Sequence, residues 1–176
     1  MDPTDARVTA SETVRLERIL PALPERVWDY LTKSDLRRKW LASGEMAPFA
    51  GGKVEHLFRH HELSSEATPA RFAAMTDSPS MAGEVTAWDP PRTLAYTWPG
   101  DGGQSEVTFE LAQEGRGTRL VVTHRRLAAR GTRVMVATGW GAHLSILADV
   151  LSDEEPRGFW SEFARLEAIN ERELPR

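Results

Sequence analysis

The sequence contains no cysteine. Disulfides, thiol nucleophiles and thiolate zinc sites are therefore excluded, and a reducing compartment, the cytoplasm, is the expected location. Lysine is scarce as well, with 19 of the 22 basic residues being arginine. No apolar run approaches the roughly 18 residues of a membrane-spanning helix, so no membrane span is expected. The opening MDPTDARVTASETV has acidic residues and no hydrophobic segment, so it does not read as a signal peptide. Acidic residues outnumber basic ones 26 to 22, which gives no global attraction to nucleic acid. The local basic clusters Arg37-Arg38-Lys39 and Arg125-Arg126 are interrupted by acidic sequence and form no coherent basic surface, so no nucleic-acid partner is expected. The glycines at 51–52 and 100–103 do not lead from a strand into a phosphate-binding helix, so no dinucleotide site and no cofactor are expected.

What is present is ordinary for one globular domain: 176 residues, 40% hydrophobic and 27% charged. Folding a chain of this size buries roughly 70% of its extended surface, enough for a core without metal or disulfide support.

Residues 1–11 are polar and patternless and read as a loose N-terminal arm. TVRLERIL at 13–20 reads as a strand. Pro24 suits the first position of a short helix whose face carries Val27, Trp28 and Leu31. A second short helix is expected at about 34–41, with Ser34 as cap and Leu36, Trp40 and Leu41 buried. After the Gly51-Gly52 turn, residues 53–62 alternate, with Val54, His56, Phe58 and His60 on one face. Residues 64–80 fit either a loop or a short helix around 71–75.

Strands follow at 83–88, 92–98, 105–111 and 118–125, separated by short turns, which predicts an antiparallel meander. Leu94, Tyr96 and Trp98 share one strand face, and Val107, Phe109 and Leu111 another. The period then changes. Val136, Trp140, His143 or Leu144, Leu147 and Leu151 recur every three to four residues, which predicts a long helix starting between 132 and 139 and ending near Ser152. Gly139 is tolerable near its start and costly in its middle. A last helix at 158–173 carries a stripe of Phe159, Phe163, Leu166 and Ile169. That stripe is expected to pack on its own domain or to cover the partner subunit of a homodimer. An antiparallel sheet must cover its apolar face, here with the helix around 140–151, and a bent sheet around one helix leaves room for a cavity.

Several stretches together resemble a known family. These are PERVWDYLTKSDLRRKW at 24–40, GEVTAWDPPRTLAYTW at 83–98, EVTFEL at 106–111, GTRLVVTHRRL at 117–127 and Gly139-Trp140 leading into HLSILADVL at 143–151. Their order and spacing are similar to the activator-of-Hsp90-ATPase homologues within the START-like (SRPBCC, Bet v 1-like) superfamily. The resemblance implies an α+β helix-grip fold, a curved antiparallel sheet wrapped around a long C-terminal helix with two short helices after the first strand. It implies a START-like domain over 12–152 and leaves 153–176 as a helical extension. It also implies packing roles for Trp28 and Trp40, a turn at Pro90, and Gly139-Trp140 at the start of the gripping helix.

The implied cavity would take a small apolar or amphipathic molecule, without catalysis. Its candidate lining is Trp40, His56, Phe58, Tyr96, Trp98, Phe109, Trp140, His143, Leu144 and Leu147. His56, Tyr96 or His143 would orient a polar head. His56 and His60 lie about 13 Å apart along a strand, too far to share a metal ion. His124, beside Arg125-Arg126, is expected on the surface. One alternative is an enzyme of the cyclase or hydrolase type built on His143 with Tyr96 or Glu45. Another is an Hsp90-related co-chaperone or interaction module, which predicts a closed interior and an exposed apolar patch.

Overall fold

The computed structural model describes residues 7–10, 12–75, 80–100 and 103–175. Seven strands form one antiparallel sheet in the order β1-β2-β7-β6-β5-β4-β3. They are β1 Arg7–Ala10, β2 Thr13–Leu20, β3 Lys53–His56, β4 Met81–Asp89, β5 Thr93–Gly100, β6 Gly103–Glu114 and β7 Gly117–Arg125. The meander β4 to β7 follows from short turns and apolar alternation, cleanest in β6. Leu94, Tyr96, Val107, Phe109, Leu120 and Val122 are all buried, with Leu94 opposite Phe109 and Phe109 opposite Val122.

Among the described residues the α-helices are α1 Pro24–Thr32, α2 Ser34–Arg37, α3 Arg130–Leu151 and α4 Phe159–Glu173. The Trp140 ring of α3 sits 5.4 Å from the rings of both Trp98 and Phe109, so the long helix lies on the apolar face of the sheet. The fold is the expected α+β helix grip.

The departures have physical reasons. Arg7–Ala10 belongs to the expected loose arm yet pairs with β2, Val8 opposite Val14. An edge strand is held by backbone hydrogen bonds, which leave no apolar pattern to read. Residues 1–6 and 11 of that arm lie outside the described residues. The second helix stops at Arg37 instead of reaching residue 41. Ser34 does not cap it; its Oγ accepts the Gly44 N–H at 2.9 Å. Trp40 is buried all the same, its indole N–H donating to the Tyr30 carbonyl at 2.8 Å. The expected strand at 53–62 ends at His56 and gives way to a 3-10 turn at His60–Glu62. The unsettled stretch forms a 3-10 helix at Ala70–Met75, and Phe72 stacks on Trp160 of α4 at 4.6 Å.

The long helix starts at Arg130, so Gly139 is in its middle rather than at its opening. A nearby glycine, Gly141, shows one reason for glycine here: a Cβ would stand 2.9 Å from Leu166 Cδ1 of α4. Two helices can approach closely where one lacks a side chain. With the sheet on one flank and α4 on the other, α3 is apolar on nearly all sides, and by length and composition alone it could cross a membrane.

The α4 stripe packs within its own chain. Phe159, Phe163 and Leu166 are buried and Ile169 is half-buried. Asn170 donates to Thr138 Oγ1 at 3.0 Å, and Ser145 donates to Glu162 at 2.8 Å. Glu66 accepts the Ser161 N–H at 2.9 Å, placing a carboxylate at the positive end of α4.

Arg37 carries the largest surprise in the small-helix region. Its sequence neighbours suggest a solvated basic cluster, yet it is 0% exposed. Its Nε–H donates to the Ala42 carbonyl at 3.0 Å, and Nη2 donates to the carbonyls of Gly44 at 2.7 Å and Glu55 at 2.9 Å. One guanidinium thus ties α2, the following loop and β3 together.

Candidate functional site

A cavity of about 530 Å³ lies between the first half of α3, the start of α4 and one end of the sheet. The sheet contributes Met81, Trp98 and His124; the segment after β3 adds Phe58 and His60. From α3 come Met135, Val136, Gly139, Trp140 and His143, and from α4 come Phe159, Trp160 and Phe163. Met135 is exposed as well as lining, so the cavity reaches the surface there. Among the described residues, no Asp, Glu, Lys or Arg side chain lines it.

The sequence supplies this wall through two periodicities. Strand alternation delivers Trp98 and His124, both on faces that also carry core residues. Helical spacing delivers Val136, Gly139, Trp140 and His143 from successive turns of α3. Gly139 leaves space: no heavy atom lies within 4 Å of where its Cβ would stand.

The rings hold one another. Trp98 and Trp140 meet at 5.4 Å in an edge arrangement, and His143 lies 4.8 Å from Phe159 and 5.5 Å from His60. Such pairs add modestly to area burial and fix the wall.

His124 is 1% exposed, not on the surface as its arginine neighbours suggest. The Trp140 indole N–H, which can only donate, points at His124 Nδ1 at 3.0 Å. Nε2 therefore carries the imidazole proton and donates to Ser105 Oγ at 2.8 Å, and that hydroxyl donates to the Trp98 carbonyl at 2.9 Å. The relay uses both ring nitrogens. Burial pushes the His124 pKa down to about 4, so the ring is neutral at pH 7.

His143 is fixed differently. Its Nδ1 lies 2.7 Å from the Trp40 carbonyl, an acceptor, so Nδ1–H donates. Burial, and then the neighbouring His60, lower its pKa to about 3. His56 also falls to about 3, through burial and then the Arg37 charge.

Four of the ten predicted residues line the cavity: Phe58, Trp98, Trp140 and His143. The other six are buried but stand off it. Trp40 reaches it only through the carbonyl that holds His143. His56 sits behind Phe58 and Trp98, at ring distances of 6.0 and 5.3 Å. Tyr96 and Phe109 lie deeper, 5.6 Å apart, and burial raises the Tyr96 pKa. Leu144 and Leu147 follow on the later turns of α3, in the filled core. Glu45, the suggested partner of His143, is not part of the wall. The aromatic wall from α4 was not legible as such, because the extension looks separable from the domain. His124 was expected on the surface; the signal that could have placed it inside is that it keeps the phase of Leu120 and Val122 along β7.

Comparison with known proteins agrees with the architecture. The family described as activator of Hsp90 ATPase homolog 1-like protein matches residues 21–152. No curated protein matches the chain. The solution structure of the protein encoded by gene BPP1335 from Bordetella parapertussis is 41% identical, with a TM-score of 0.84, covering 99% of this chain and 92% of that one. The crystal structure of CalU16 from Micromonospora echinospora shares the fold at 20% identity and a TM-score of 0.67, covering 91% of this chain and 86% of that one. A conserved protein of unknown function from Enterococcus faecalis shares it at 20% identity and a TM-score of 0.64, covering 96% and 90%. With the match spanning the small helices, the meander and the whole of α3, the chain belongs to the activator of Hsp90 ATPase homolog 1-like family.

Proposed function

We propose that the protein binds a small apolar or amphipathic molecule in the cavity between α3, α4 and the sheet. The observation that carries this reading is the cavity itself, about 530 Å³ in volume and walled by aromatic rings. Pockets for small organic molecules typically measure roughly 300–1,000 Å³ and are lined in this way. Affinity would come from removing apolar surface from water. An interaction module predicts a closed interior, and the opening at Met135 favours a ligand site instead.

Gly139→Leu tests the site. The new side chain would occupy open space in the cavity. Overfilling a packed space costs about 1–3 kcal/mol, so affinity for a probe such as naphthalene should fall by about five- to 150-fold. The fold should gain, because glycine within a helix costs about 0.5–1 kcal/mol relative to alanine. Calorimetric titration and urea unfolding would show the two changes in opposite directions. Equal naphthalene affinity in the variant would place the guest elsewhere.

A further inference from the structure

The wall of the cavity holds an acceptor in His143. His143 Nδ1–H is spent on the Trp40 carbonyl at 2.7 Å. A neutral imidazole has one proton, so Nε2 is a bare lone pair. Nε2 has no hydrogen-bond partner among the described residues, although His143 is only 6% exposed. The ring lies beside His60 and Phe159, both of which line the cavity. His124 cannot serve a guest in the same way, because the indole of Trp140 and the hydroxyl of Ser105 occupy its two nitrogens.

Building on the ligand-binding reading above, we infer that the guest is a neutral aromatic molecule whose hydroxyl donates a hydrogen bond to His143 Nε2. The aromatic wall of Trp98, Trp140 and Phe159 fits a flat ring. Among the described residues no cationic side chain lines the wall to receive a carboxylate or phosphate. A guest that donates a proton satisfies this acceptor and a guest that can only accept does not, so donors are favoured. The selection therefore acts on the O–H proton and not on shape alone.

Three probes of nearly one shape decide the matter with the intact protein: naphthalene, 1-naphthol and 1-methoxynaphthalene. The ether is the more apolar of the two oxygenated probes, so burial alone would favour it. The expected result is that 1-naphthol binds about tenfold more tightly than 1-methoxynaphthalene, the worth of one buried hydrogen bond. His143→Phe should erase that preference while still binding naphthalene. Should that variant fail to fold, nitrogen-15 imidazole spectra of the wild type give the same information. The Nε2 resonance should move upfield with 1-naphthol and stay in place with the ether. Affinities for naphthol and ether within twofold of each other, with naphthalene still bound, would overturn the donor inference and leave the cavity reading intact. Failure of all three probes to bind would overturn both.

Discussion

Acidification is expected to unfold the protein between about pH 5.5 and 4, with the loss of stability beginning above the range where ordinary carboxylates titrate. The cause is three histidines held neutral in the interior. His56, His124 and His143 have folded pKa values near 3, 4 and 3. In the unfolded chain each returns to about 6.5. Below that value the unfolded chain binds protons that the folded chain refuses. The stabilisation is complete above pH 6.5 and falls as pH drops, until the folded values are reached. Each histidine contributes a slope of about 1.4 kcal/mol per pH unit, and three together about 4 kcal/mol per unit. A total stability of about 5–10 kcal/mol, in the lower part of the usual range, is exhausted within about one to two and a half such units. The local chemistry agrees: a proton on His124 Nδ1 would face the Trp140 indole N–H at 3.0 Å, donor against donor.

Asp149 and Glu162 do not blur this window. Burial raises both, but their bonds to arginine outweigh it and leave each below its ordinary value. Their stabilisation is present above the ordinary carboxylate range and lost only as pH falls below it. Urea midpoints followed by tryptophan fluorescence at pH 7, 6 and 5 would measure the histidine slope. A constant midpoint across that interval would sink the prediction.

Arg37→Leu is expected to cost about 3–5 kcal/mol of stability. The substitution strands three carbonyls, those of Ala42, Gly44 and Glu55, which now share one guanidinium. Each buried acceptor left bare costs about 1–3 kcal/mol, and the relief of removing a buried charge offsets part of the sum. No described carboxylate lies within ion-pair distance of Arg37, so its worth comes from hydrogen bonds rather than from a counter-ion. Arg37→Lys should fall between, because one ammonium cannot reproduce the planar fork. Denaturant unfolding of the three proteins checks the order. A loss under about 1 kcal/mol for the leucine variant would mean that the loop re-forms around water.

Alternation and helical spacing carried most of the fold in the sequence. The strands of the meander were readable from apolar alternation between turn signals, and α3 from apolar residues spaced by three to four. What alternation could not show was pairing by backbone alone, as in β1, or an irregular turn, as at His60–Glu62. Arg37 and His124 mislead for a common reason. Both sit beside exposed arginines, and neighbours along the chain do not report which way a side chain points. The cavity was foreseeable as a gap between sheet and helix, but its position was not. That depends on Gly139 lying mid-helix and on α4 bringing Phe159, Trp160 and Phe163 to the opening.

The neighbouring places of β2 and β7 in the sheet impose an order of assembly. Hairpins within the meander join residues close in sequence and can form quickly. The Val14–His124 pairing instead closes a loop of about a hundred residues, a search whose entropy must be met before its contacts repay it. Docking of the N-terminal strand is thus expected to be a late event. Until it happens the outer edge of β7 is bare, and a newly made chain is then most open to capture by another copy.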